Sequence, residues 1–281
     1  MKLQLDKTLN TSAAKELIHL IESGTYEKMK QNKTLLEQSK AYLRDLLEPY
    51  PAKRHEFKEL NWVAKFIPKK IWETDNERLI EDLLCYIKPE IALSVIKLDT
   101  KSIKSGGLNL DAYLLPKSHY VRPTLNKFGK SKVKLTDFLF GAQTEMEMVA
   151  EIKACSFEEK KYEEIYNHFK ESSNRCSVLL EQRKVTTPYG SVSLIENKPK
   201  WELNEVYKDL GEDIFINFGK VDMAKLEELI IRGAVPNGIL SNHRVLKDIR
   251  LDFVVMDLAG EEKAMNFHRN RQIKTSMRRF G

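Results

Sequence analysis

Two acids and a lysine are spaced in this chain so that they could surround one ion. Asp137 lies within the apolar run 133–140, and Glu151 and Lys153 follow within 146–154. Read as the strands of a hairpin, these runs put Glu151 and Lys153 on one face, because residues two apart in a strand point the same way, and bring Asp137 alongside. Two carboxylates meeting at one point repel each other unless a cation lies between them. A hard, oxygen-seeking ion such as Mg²⁺ suits that place. Such an ion polarises a phosphodiester and lowers the pKa of a bound water. Lys153 then orients the water or balances charge on the phosphate. The triplet acid-x-Lys occurs seven times, beginning at Glu56, Asp99, Glu151, Glu158, Glu159, Glu196 and Glu261. Glu151 is preferred because an aspartate stands on the strand expected before it. Its rival, Asp99-Thr100-Lys101, follows an apolar run but lacks that partner. The competing account of Glu151 and Lys153 is an ion pair on an exposed sheet.

Other chemistries find less support. Lys104-Ser105-Gly106-Gly107 reads as a turn and not as a phosphate-binding loop. His19, His55, His119, His168, His243 and His268 show no zinc spacing. Cys85, Cys155 and Cys176 form neither a metal-ligand pair nor a disulfide framework, so they read as thiols in a reducing compartment.

The elements expected to position these residues fall into three zones. Residues 1–72 read as a helical module. Ser12 caps a helix that Gly24 ends, and a second helix runs from Tyr26 to Leu47 until Pro49-Tyr50-Pro51 breaks it. Basic and aromatic residues then interleave from Lys53 to Trp72, as in an amphipathic helix or a clamp on a phosphate backbone. Residues 73–183 read as helix, strands, hairpin, helix, strand. Thr74 and Glu77 form a capping box for the first helix, and 91–98, 108–115, 133–140, 146–154 and 175–182 are extended. The polar, basic stretch from Lys117 to Lys132 reads as a loop. Residues 184–281 form a mixed module: a turn at Thr187-Pro188-Tyr189-Gly190 inside a hairpin, strands at 214–218 and 249–258, and a helix from Met223 to Arg232 that Gly233 ends. Its basic tail carries Lys263, Arg269, Arg271, Lys274, Arg278 and Arg279.

Thr136-Asp137-Phe138-Leu139, followed thirteen residues later by Val149-Ala150-Glu151-Ile152-Lys153-Ala154, resembles the signature of the PD-(D/E)XK nuclease superfamily, over about 110 residues. Within it, the pattern looks most like the endonuclease subunit of heteromeric transposases. Threonine stands before Asp137 where proline is commonest, and the N-terminal helical module has no counterpart in that subunit. The resemblance implies an α/β, restriction-endonuclease-like mixed sheet flanked by helices. It implies Asp137 and Glu151 as metal ligands, Lys153 as the catalytic assistant, and Glu77 or Glu81 as a further ligand from the first core helix. The activity implied is Mg²⁺-dependent DNA cleavage in a mobile-element or defence setting, with a protein partner subunit or a homo-oligomer.

Composition agrees with this without demanding it. The 281 residues carry a net charge of +6, with 42% hydrophobic and 31% charged residues, which is globular and mildly basic. Met1-Lys2-Leu3-Gln4-Leu5-Asp6-Lys7 does not resemble a signal peptide and no segment reaches spanning length, so a cytoplasmic protein without a membrane partner is expected. The second class of function open to this sequence is a non-catalytic phage or mobile-element protein that engages a host protein or nucleic acid.

Overall fold

The computed structural model describes residues 11–236 and 238–277. In chain order these form α1 (Ser12–Glu22), α2 (Thr25–Leu47), β1 (Arg54–Phe57), β2 (Trp62–Thr74), α3 (Asn76–Tyr86), α4 (Pro89–Val95), β3 (Ile96–Leu98), α5 (Thr100–Ser105), β4 (His119–Leu125) and α6 (Lys127–Lys132). There follow α7 (Glu145–Asn174), α8 (Ser177–Gln182), β5 (Lys184–Thr187), β6 (Gly190–Glu196), α9 (Leu203–Leu210), α10 (Asp213–Phe218), β7 (Gly219–Val221), α11 (Met223–Arg232), α12 (Ile239–Asn242), β8 (Arg244–Asp257) and α13 (Leu258–Met277). The protein is mixed α/β, with helix predominating and only small sheets, of two and three strands, among the described residues.

The chain divides into two compact units that cut across the three expected modules. One takes the chain up to Lys65, then Ser118–Asn197 and Phe253–Asp257; the other takes Phe66–Lys117, Lys198–Asp252 and the chain from Leu258 onward. β2 and β8 run from one unit into the other.

In the first unit, the antiparallel sheet β4-β6-β5 is the centre of construction. Its inner face sets Val121, Val185, Val192 and Leu194 against Ala13, Ala14 and Leu17 of α1, Phe169 of α7 and Leu179 of α8, all buried. Each such large side chain contributes about 1.5–3 kcal/mol when fully withdrawn from water. Thr11, not Ser12, caps α1 by accepting from the Ala14 amide at 3.3 Å. The long α2 packs along α7, and Asn32 Nδ2 donates to the Cys155 carbonyl at 2.9 Å.

In the second unit, Leu79, Ile80 and Leu83 of α3 meet Leu93 and Val95 of α4, Phe215 of α10 and Leu226 of α11 in one core. A two-stranded antiparallel sheet, β3 with β7, lies beside them. Asp75 and not Thr74 caps α3, accepting from the Arg78 amide at 3.2 Å. Residues 66–74 of β2 and 244–252 of β8 run in opposite directions, as the pairs Lys69–Asp252 (3.2 Å) and Lys247–Glu73 (3.6 Å) show. The Arg244 guanidinium lies 4.9 Å from the Trp72 ring centre. The interleaved basic and aromatic zone is therefore strand where an amphipathic helix was expected. The tail to Lys274 is helix α13, with Arg271 paired to Glu227 at 2.6 Å; Arg278 and Arg279 lie outside the described residues.

Several extended runs expected from β-branched content are helical. Residues 91–95, 177–182 and 214–218 belong to α4, α8 and α10. Among the described residues no helix is long and apolar enough to cross a membrane.

Candidate nucleic-acid interface

The hairpin expected around Asp137, Glu151 and Lys153 does not form. Residues 133–144 contain neither helix nor strand, and 146–154 lie in the first third of α7. The cause is local. Thr144 and Glu147 make a complete capping box, Glu145 and Glu147 place negative charge in the first turn, and the buried residues Met148, Val149, Ile152 and Cys155 recur at helical spacing. On a helix, residues two apart diverge by about 200°, so Glu151 and Lys153 no longer share a face. Glu151 accepts from the Cys155 thiol at 3.7 Å, and Lys153 Nζ donates to the Leu60 carbonyl at 3.1 Å. Asp137 is exposed and accepts from Gln38 Nε2 at 3.4 Å. Glu77 and Glu81 are exposed on α3, in the second unit. Among the described residues no three His, Cys, Asp or Glu side chains group so as to hold a metal ion. Burial, and then the Glu151 carboxylate, pushes the Cys155 thiol up to about 12, the opposite of an activated nucleophile.

A different constellation comes together on the outer face of β4-β6-β5. Directly opposed residues of antiparallel strands project to the same side. Since Val121, Val192 and Val185 point inward, the register sends Tyr120, Arg122 and Thr124 of β4 outward, with Ile195, Ser193 and Ser191 of β6 and Lys184 and Thr186 of β5. Arg122, Ser193 and Lys184 form one row across the three strands; Thr124, Ser191 and Thr186 form the next. None of these eight residues is acidic. Pro123 is tolerated because β4 is an edge strand, so one side of its backbone needs no ladder partner.

The chain leaving β4 continues the positive charge. Asn126 caps α6, accepting from the Gly129 amide at 2.8 Å, and α6 is seated on the β5–β6 turn by backbone approach. The Asn126 amide donates to the Tyr189 carbonyl at 3.0 Å, and its side chain donates to the Pro188 carbonyl at 2.8 Å. Phe128 stacks on Tyr189 with ring centres 5.5 Å apart, and Lys132 Nζ lies 5.7 Å from the Phe128 ring centre. The Tyr189 hydroxyl donates to Glu22 at 2.7 Å, which raises its pKa. Two glycines make the fit possible. A Cβ on Gly129 would lie 2.0 Å from the Tyr189 oxygen, and one on Gly190, whose φ is +154°, would lie 2.1 Å from the Thr124 oxygen.

From Ala112 to Thr136 the chain has six Lys or Arg residues and no Asp or Glu. That run was legible as basic, but its description as a loop missed that it forms an edge strand and a seated helix. Arg122, Lys127, Lys130, Lys132, Lys134 and Lys184 are exposed, and among the described residues none is ion-paired. Exposed unpaired cations beside hydroxyl rows suit the phosphate oxygens of a polyanion, which accept from both. No protein-family model, no curated protein and no solved structure matches this chain.

Proposed function

We propose that this protein binds nucleic acid through the outer face of β4-β6-β5 and the adjoining α6. The observation that carries the reading is an acid-free face: eight outward sheet residues without a carboxylate, continuous in sequence with Lys127, Lys130, Lys132 and Lys134. A solvated protein surface ordinarily intersperses both signs, whereas here Arg122 and Lys184 stand on the sheet face with no acid between them. This favours the binding class over the cleaving one. The two-carboxylate site depended on a strand that is helix, and among the described residues no three His, Cys, Asp or Glu side chains group so as to hold a metal ion.

The test is affinity as a function of salt. With six cations available, log Kd should change with log salt by a slope of up to about 4 on a single strand and about 5 on a duplex. Replacing Lys127, Lys130 and Lys132 together by Gln should lower that slope by about 2–3. A slope near zero, or one indifferent to the triple replacement, refutes the reading. The same mixtures with Mg²⁺ test cleavage: nicking of the substrate that Glu151→Gln abolishes would restore the nuclease.

A further inference from the structure

The ring of Tyr120 points to the kind of nucleic acid. Tyr120 is 45% exposed on edge strand β4, on the same outward face as Arg122 two residues on, and Ile195 stands opposite it on β6. Burying or removing an aromatic ring is the ordinary solution for a sheet face that meets only water, since a half-exposed ring forfeits much of its transfer free energy. A tyrosine can recover it by stacking on a flat apolar surface while its hydroxyl stays wet. The neighbouring rows supply what such a surface carries with it if it is a nucleobase: Arg122 and Lys184 for phosphates, and Thr124, Thr186 and the half-buried Ser193 for sugar and phosphate oxygens.

The form of the face argues against a duplex. A paired helix conceals the faces of its bases within the stack and admits to its major groove, about 12 Å wide, a helix or a two-stranded ribbon. Here three strands about 4.8 Å apart make a shallow surface about 10 Å across, with Tyr120 at one edge and Lys184 at the other. An unpaired strand offers base faces to such a surface, and stacking there tolerates any sequence. We infer that the outer face of β4-β6-β5 binds single-stranded nucleic acid, with a base stacked on Tyr120 and the flanking phosphates held by Arg122 and Lys184. This inference rests on the proposed nucleic-acid function and narrows its substrate.

The test uses the full chain with labelled 20-mer single strands of DNA and of RNA, and a blunt duplex of the same length, at physiological salt. The single strands should bind at least about tenfold tighter than the duplex. Tyr120→Ala should weaken single-strand binding by roughly 5- to 150-fold, the value of one stacked base, and leave the duplex unchanged. Tyr120→Phe should stay within about twofold. Tyr120→Trp, whose emission a stacked base quenches, reports the contact directly. Far-UV circular dichroism confirms that each variant is folded. The DNA and RNA arms distinguish the two sources of the same chemistry. Equal salt-dependent affinity for duplex and single strand, with Tyr120→Ala indistinguishable from wild type, overturns the inference while leaving nucleic-acid binding in place. No binding in any arm overturns both, and a protein that docks on the face in a Tyr120-dependent manner would then replace them.

Discussion

Gly129→Ala adds one methyl group at the point where α6 rests on the β5–β6 turn. The new Cβ would lie 2.0 Å from the Tyr189 oxygen and 2.9 Å from its carbonyl carbon, so backbone must move by more than 1 Å because no flexible side chain is in the way. That displacement disrupts the bonds from the Asn126 amide to Tyr189 and from its side chain to Pro188. At about 1 kcal/mol each they are worth about 2 kcal/mol. The Phe128–Tyr189 stack adds about 1 kcal/mol. Against this, alanine lowers the entropy of the unfolded chain by about 0.4–1 kcal/mol and favours helix at a position inside α6. The first unit should therefore lose about 2 kcal/mol, read as a lower urea midpoint at unchanged slope. Because Lys127, Lys130 and Lys132 ride on the same helix, the salt slope of nucleic-acid binding should fall toward that of the triple lysine variant. A Gly129→Ala protein as stable as the wild type, or one with undiminished slope, would refute the claim that this approach positions the cations.

Two further perturbations test the electrostatics. Native Cys155 should resist a thiol reagent at pH 8 while exposed Cys85 reacts, because a thiol held at about 12 has almost no thiolate there. The sign follows from linkage: the unfolded thiol ionises near 9 and the folded one near 12, so above pH 9 the unfolded state loses the proton first and stability falls with rising pH, measurable as a Cys155-dependent drop in urea midpoint between pH 8.5 and 10.5. Asp222 caps α11 and pairs with Lys97 at 2.6 Å, which lowers its pKa. Asp222→Ala should cost about 1–2 kcal/mol and Asp222→Asn, which can still cap, about 1 kcal/mol or less. The Lys97 contribution is complete above the ordinary aspartate range and should fade as pH falls through the depressed value, so the wild-type and Asn melting curves should converge in acid.

What the sequence settled by itself was whatever a few adjacent residues decide. The helix from Thr25 to Leu47, the helix Met223–Arg232 stopped by Gly233, the β5–β6 turn at Thr187-Pro188-Tyr189-Gly190 and the strand ending near Leu258 all follow from caps, breakers and turn residues within one or two turns of chain. The strand assigned to 146–154 failed on information that was also local. Alternation over Met146-Glu147-Met148-Val149 mimics a strand, whereas Thr144 with Glu147 and the apolar spacing through Cys155 specify a helix. Residues 91–95 and 214–218 failed for another reason. Ala92, Leu93, Val95 and Phe215 are buried in one core, and burial on several sides removes the periodicity that distinguishes helix from strand. The proposed binding face lay beyond any local reading. Arg122, Ser193 and Lys184 are neighbours only because β6 pairs with a strand some seventy residues earlier and with β5, and register alone sends them to the open side while Val121, Val192 and Val185 go to the core. Sequence supplied the positive charge; the non-local pairing of strands decided that it would form a surface.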